Sequence, residues 1–204
     1  MKIIFAGTPD FALPALQSLI DSPHELIAVY TQPDRPAGRG RKLTPTPIKA
    51  LAQENNIPVH VPTSLKDEAE QKILCELNPD AMIVVGYGML LPQAVLDIPK
   101  YGCINIHPSL LPKWRGAAPV QHSLLAGETV TGVSIMQLDR GMDSGPILKQ
   151  IEYTLSGDET CGELYDMLFN MGSSLLLETL DEIAAHTLEA TEQDHEFATT
   201  AHKI

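Results

Sequence analysis

Three short, uninterrupted apolar runs limit the folds open to this chain more than any other feature. They are Ile3-Ile4-Phe5-Ala6, Leu26-Ile27-Ala28-Val29-Tyr30 and Ala81-Met82-Ile83-Val84-Val85. Runs of this length without polar alternation read as strands buried on both faces. Between the first two, apolar positions from Phe11 to Ile20 recur at helical spacing, with Pro14 tolerable only near the helix start. A strand, a helix and a strand within thirty residues make a βαβ unit with a parallel sheet. The expected class is therefore α/β: a Rossmann-like, mostly parallel sheet flanked by helices. Later, Thr131 to Leu138 and Ile147 to Leu155 read as a hairpin that adds antiparallel strands. Thr160 with Glu163 forms a capping-box pattern that opens a long amphipathic helix to about Ala185, and Ser64 with Asp67 resembles a second such box.

A dinucleotide site would need GxGxxG after the first strand, and Gly7-Thr8-Pro9-Asp10-Phe11 does not supply it. At 204 residues, 44% hydrophobic and 20% charged, the chain can bury a substantial core. No apolar run approaches membrane-spanning length, and Ile3 to Ala6 is too short for a signal-peptide core. Cys75, Cys103 and Cys161 are odd in number and far apart, which fits free thiols in a reducing cytoplasm better than disulfides or a zinc site. A formal charge of −12 disfavours nucleic-acid binding over the whole surface. The charge is uneven, however. Arg35, Arg39, Arg41, Lys42 and Lys49 cluster in residues 32–49, and residues 32–47 lack core periodicity. Loops of that length are functional or disordered; composition alone fits a solvated linker somewhat better.

Cys103-Ile104-Asn105-Ile106-His107 begins as a strand, and Pro108 ends it. Side chains alternate across a strand, so Asn105 and His107 share a face at its carboxyl end, where open α/β sheets bind ligands. An amide can stabilise a developing oxyanion, and an imidazole can move a proton or donate to the same oxygen. The pair could equally satisfy local backbone groups. Asp143, in the Gly-rich loop 139–146, is a carboxylate able to orient the imidazole or hold a proton-relaying water. No nucleophile is evident: Ser109 lacks the G-x-S-x-G turn. The histidines show no metal-ligand spacing. Such a site suits acyl transfer between two bound substrates.

Asn105-Ile106-His107-Pro108-Ser109-Leu110-Leu111-Pro112, followed by Asp139-Arg140-Gly141-Met142-Asp143-Ser144-Gly145-Pro146, resembles the signature of the folate-dependent formyltransferases. Phe5-Ala6-Gly7-Thr8-Pro9-Asp10-Phe11-Ala12, the basic loop and Trp114-Arg115-Gly116-Ala117-Ala118-Pro119-Val120-Gln121 are similar to the branch that formylates the α-amine of methionyl initiator tRNA. The resemblance implies 10-formyltetrahydrofolate as formyl donor, no metal, initiator methionyl-tRNA as partner, and a monomer in the cytoplasm. It implies Asn105, His107 and Asp143 as the catalytic trio. Ser109, Leu110, Leu111 and Pro112, with Gly86, Tyr87, Leu90 and Leu91, would form the folate site. Arg35, Arg39, Arg41 and Lys42 would meet tRNA. It also implies a catalytic domain over 1–190, with 191–204 beginning a linker to a further domain. The rival in the superfamily formylates glycinamide ribonucleotide. It would want a phosphate-binding Gly-rich turn after the first strand and would lack the basic loop. A folate-binding module without activity on tRNA is the other alternative.

Overall fold

The computed structural model describes residues 1–37, 40 and 42–204. The chain divides into two units, Met1–Cys103 and Ile104–Ile204. In the first, the apolar runs become β1 (Lys2–Gly7), then α1 (Leu13–Ile20), then β2 (Glu25–Tyr30). Pro14 sits in the first turn of α1, where a missing N–H is harmless. Ala15, Leu16 and Leu19 of α1 are buried, the stripe expected of an amphipathic helix. The basic segment forms a small antiparallel hairpin, β3 (Arg35–Ala37) with β4 (Lys42–Thr44). A loop was expected here. Arg35, Pro36, Lys42, Leu43 and Thr44 are all exposed, so no burial period could announce the hairpin.

The chain continues through α2 (Pro47–Glu54), capped by the Thr46 hydroxyl, and β5 (Val59–His60). It then forms α3 (Glu68–Leu77), β6 (Ala81–Val85) and the single-turn α4 (Gln93–Leu96). The expected Ser64–Asp67 capping box is not formed. Asp67 is itself the cap, accepting from the Ala69 N–H, while Ser64 accepts from the Lys66 N–H. Strands β6, β1, β2 and β5 pair side by side, all parallel. β6 is buried along its whole length, as an apolar run covered on both faces must be.

The boundary between units falls within β7 (Cys103–His107), all of it buried. The second unit continues with β8 (Arg115–Gly116), α5 (Pro119–Leu125), β9 (Val130–Gln137), β10 (Ile147–Thr154) and α6 (Cys161–Ala184). β9 runs antiparallel to β7, with Asn105 opposite Met136 and His107 opposite Ser134, and β10 is its hairpin partner. The α/β class with late antiparallel strands is borne out. The Thr160–Glu163 capping box is present in both directions and starts α6 where expected. α6 buries Leu164, Leu168, Phe169, Leu176 and Leu180. Gly172 is its point of closest approach: an added Cβ would lie 2.6 Å from the Ile106 methyl and 3.0 Å from Val133.

Residues 191–204, expected to open a linker, belong to the second unit. Thr191 bridges to Ile147, Gln193 is 5% exposed, and β11 (Thr200–Ala201) pairs in parallel with β8. Polar composition hid this packing, because the segment is held mainly by hydrogen bonds rather than by an apolar stripe. No helix among the described residues is long and apolar enough to cross a membrane.

Two outcomes are expected from this packing. Gly172→Ala forces a methyl against β7 and β9 and should destabilise the protein by about 1–3 kcal/mol. Gly162→Ala, with open space around its Cβ, should be neutral or stabilising by up to about 1 kcal/mol; denaturant titration of the two variants separates the signs. Burial pushes the Cys103 thiol up to about 12, so the native state favours its neutral form. That preference is fully present at neutral pH. It should be lost as pH rises above the ordinary thiol range, because only the unfolded chain then gains thiolate. At pH 8 a thiol reagent should label exposed Cys75 readily and Cys103 only after unfolding, read by peptide mass spectrometry.

Candidate active site

β7 delivers Asn105 and His107 to one face, about 7 Å apart along the strand. Their exposures are 9% and 4%. A carboxamide so enclosed is expected to be hydrogen-bonded, yet among the described residues the Asn105 side chain makes no hydrogen bond.

His107 is oriented by its neighbours. Its Nε2 lies 2.9 Å from the Trp114 carbonyl oxygen. A carbonyl can only accept, so Nε2 carries the proton. Nδ1 then presents its lone pair in the neutral ring, and it faces Asp143 Oδ2 at 3.8 Å. That gap is too long for a direct hydrogen bond but close enough for the carboxylate to act on the ring electrostatically. If the ring is protonated instead, Nδ1 becomes a donor toward the carboxylate. Nδ1 is therefore the nitrogen available for proton traffic.

The two loops that meet here are held in uncommon backbone conformations. Trp114 has φ 63° and Asp143 φ 50°, both in the left-handed region. Non-glycine residues adopt it at a cost of roughly 1 kcal/mol or more, which surrounding contacts must offset. For Trp114, the N–H donates to Thr199 Oγ1 at 2.8 Å and the indole stacks on His122 at 5.7 Å between centroids. For Asp143, Oδ2 accepts the Gly116 N–H at 2.8 Å. Gly116 itself has φ 119°, and a Cβ there would lie 2.6 Å from the Ala201 carbonyl oxygen. The turn before Asp143 is tied by Asp139, whose carboxylate accepts from the Gly141 N–H and the Ser144 hydroxyl.

The structure brings His107 and Asp143 within 3.8 Å of each other, with Asn105 two residues before His107 on the same strand. It treats the expected folate wall unevenly. Ser109 is fully buried; its hydroxyl donates to the Lys113 carbonyl at 2.6 Å and its own carbonyl accepts from Ser134 Oγ at 2.7 Å. Leu111 is 3% exposed, and its N–H donates to the same Ser134 oxygen. These two side chains shape the loop from inside. Leu110 and Pro112 line a cleft of about 460 Å³ with Trp114, Val130 and Phe197.

In the first unit, Gly86 and Gly88 have φ 57° and 74°. The Tyr87 carbonyl between them accepts from the Thr8 hydroxyl at 2.9 Å and Gln32 Nε2 at 3.1 Å. A Cβ on Gly86 would meet the Phe11 ring at 2.8 Å. Tyr87 is buried at 1%, while Leu90 is 73% exposed and is the free apolar edge of this lip; Leu91 is half-buried.

Arg35 donates to Gln32 Oε1, and Lys42 is exposed on β4. Arg39 and Arg41 lie outside the described residues. Among the described residues no group of three or more His, Cys, Asp or Glu could hold a metal ion. The Trp114 carbonyl, the Gly116 N–H, Ser134, Arg115 and Gln193 were not expected as site-shaping groups. Main-chain groups have no residue signature, and Gln193 lies in a stretch without periodicity.

Comparison with known proteins places the sequence in a family. The formyl transferase family profile matches residues 1–180. A methionyl-tRNA formyltransferase of Chromohalobacter salexigens is 54% identical over all 204 residues, and one of Pseudomonas fluorescens is 52% identical. The chain spans 63% and 64% of the length of these relatives. Among solved structures, glycinamide ribonucleotide transformylase 1 of Symbiobacterium toebii superposes with a TM-score of 0.77 at 20% identity. That superposition covers 95% of this chain and 94% of the other. An N-formyltransferase of Helicobacter canadensis, solved with folinic acid and dTDP-3-aminofucose, gives a TM-score of 0.73 at 19% identity, covering 100% of this chain and 71% of that one. At such identities these two structures speak to the fold alone. With its sequence matched by the family profile over nearly nine-tenths of its length, this chain belongs to the formyl transferase family.

Proposed function

We propose that this chain is the catalytic part of an enzyme that moves the formyl group of 10-formyltetrahydrofolate to the α-amine of methionyl initiator tRNA. The observation that carries the reading is 54% identity to a methionyl-tRNA formyltransferase over every residue of the chain. The glycinamide ribonucleotide enzyme, by contrast, shares the fold at only 20% identity. The turn after β1, Gly7-Thr8-Pro9-Asp10, also lacks the Gly-rich phosphate loop that the rival substrate would call for.

In the proposed step the amine attacks the formyl carbon, and a C–N bond forms as the carbonyl oxygen takes negative charge. The unpartnered Asn105 amide donates to that oxygen, acting on charge that develops only in the tetrahedral state. One proton leaves the attacking nitrogen for His107 Nδ1. A proton returns from Nδ1 to N10 of the folate as the C–N10 bond breaks. Asp143 holds the relaying water and steadies the imidazolium. The neutral amide and the enclosed imidazole supply no nucleophile, which fits direct transfer between the two substrates. Leu110 and Pro112 are proposed to receive the folate, and the β3–β4 hairpin to meet tRNA phosphates or base edges. A basic hairpin on a chain of net charge −12 confines that contact to one place.

The protein at its relatives' full length should formylate charged initiator tRNA and have little activity on glycinamide ribonucleotide; the opposite preference would overturn the reading. Binding of folate without any transfer would instead support the binding-module alternative. Asn105→Ala and His107→Ala should each lower kcat about 10²- to 10³-fold with folate binding largely kept. Reversing charge at Arg39 and Arg41 together should raise KM for the tRNA at least tenfold and leave folate affinity within twofold. An unchanged KM would return the hairpin to a passive role.

A further inference from the structure

The segment after α6 has no role in the chemistry described so far, yet it is wired into both groups that His107 faces. Gln193 is the centre of that wiring. Its Nε2 donates one hydrogen to the Asp143 carbonyl at 2.9 Å and the other to the Gly145 carbonyl at 2.7 Å. Its Oε1 accepts from Arg115 Nε at 3.0 Å and Nη2 at 2.7 Å. Two donors and two acceptor positions are thus all used, in a side chain only 5% exposed. Arg115 is steadied from the other side by His195 Nδ1 at 3.1 Å, and its N–H donates to the Thr199 carbonyl at 2.9 Å. The next residue, Gly116, donates its N–H to Asp143 Oδ2. The same segment fixes Trp114, because Thr199 Oγ1 accepts the Trp114 N–H while the Trp114 carbonyl holds His107 Nε2.

We propose that Gln193 is a positioning residue for the transfer reaction, acting through Asp143. It clamps the main chain of the 143–145 turn, keeping Asp143 in its left-handed conformation with Oδ2 3.8 Å from His107 Nδ1. Arg115 aligns Gln193 for that task, since a planar guanidinium grips the single amide oxygen with two parallel donors. Without the clamp, Asp143 relaxes toward an ordinary right-handed conformation. Its carboxylate then leaves the bridging position, and His107 loses its partner at the reactive nitrogen. The proposal rests on the catalytic reading of Asp143 given above.

Gln193→Glu is the discriminating variant. A carboxylate still accepts from Arg115 and keeps that link charged and strong, but it turns an acceptor toward two carbonyls and loses both anchors of the turn. In the protein at its relatives' full length, kcat should fall at least tenfold with KM for 10-formyltetrahydrofolate within twofold. The His107 ring-nitrogen resonances should shift by NMR in the folded variant. Should that variant fail to fold, Arg115→Lys serves the same purpose. It keeps the charge but loses the fork, and should lower kcat several-fold with the same KM split. Wild-type kcat together with unchanged His107 resonances in the folded variant overturns the positioning role. Asp143→Asn, assayed beside it, separates the two failures. If Asp143→Asn loses turnover while the Gln193 variant does not, only the positioning role falls. If Asp143→Asn keeps turnover, the catalytic reading falls and the positioning role with it.

Discussion

The hydrogen bond from His107 Nε2 to the Trp114 carbonyl is the constraint on which the rest of the site depends. A carbonyl oxygen has no proton to offer, so the bond selects one tautomer and leaves Nδ1 as the exchangeable nitrogen. Everything around it serves to keep that carbonyl and the Asp143 carboxylate on opposite edges of one ring. Trp114 and Asp143 both sit at positive φ. Neither conformation is one that the residue would choose alone. Their persistence shows that the loops are over-determined by contacts elsewhere, which is the usual mark of geometry retained for function.

Those contacts come from three directions. α6 approaches β7 and β9 through Gly172, whose missing side chain leaves room for the Ile106 methyl of the strand bearing Asn105 and His107. Beside it, Ser134 of β9 accepts the Leu111 N–H and donates to the Ser109 carbonyl, bracing the loop that leaves β7. Above it, β11 adds to β8 as a two-residue parallel pair. Interiors packed at crystal-like density pass small shifts onward rather than absorbing them. A site in which His107 Nδ1 and Asp143 Oδ2 stand 3.8 Å apart is correspondingly sensitive to residues that never touch a substrate.

Much of the architecture was legible because burial imposes periods. β1, β2 and β6 announced themselves as apolar runs, and α6 showed both a capping box and an amphipathic stripe. β9 and β10 read as a hairpin from alternation. The elements missed were those where burial leaves no trace. The β3–β4 hairpin exposes its described side chains, and the strand at Thr200 lies in a polar tail. The Ser64–Asp67 pattern misled because Asp67 is a strong cap in its own right, and the chain used it three residues later.

Strand alternation put Asn105 and His107 on one face, and the resemblance to the folate-dependent formyltransferases joined Asp143 to them. Residue types were enough to expect an amide, an imidazole and a carboxylate without a nucleophile. Only the folded structure could decide which histidine nitrogen is free, that Ser109 turns inward, and that Gln193 reaches Asp143 across 50 residues of chain. The physical reason is the same in each case. A periodic pattern reports which face a side chain occupies, whereas hydrogen bonds to main-chain groups depend on where separate loops meet in space, and every residue presents the same N–H and C=O to be met.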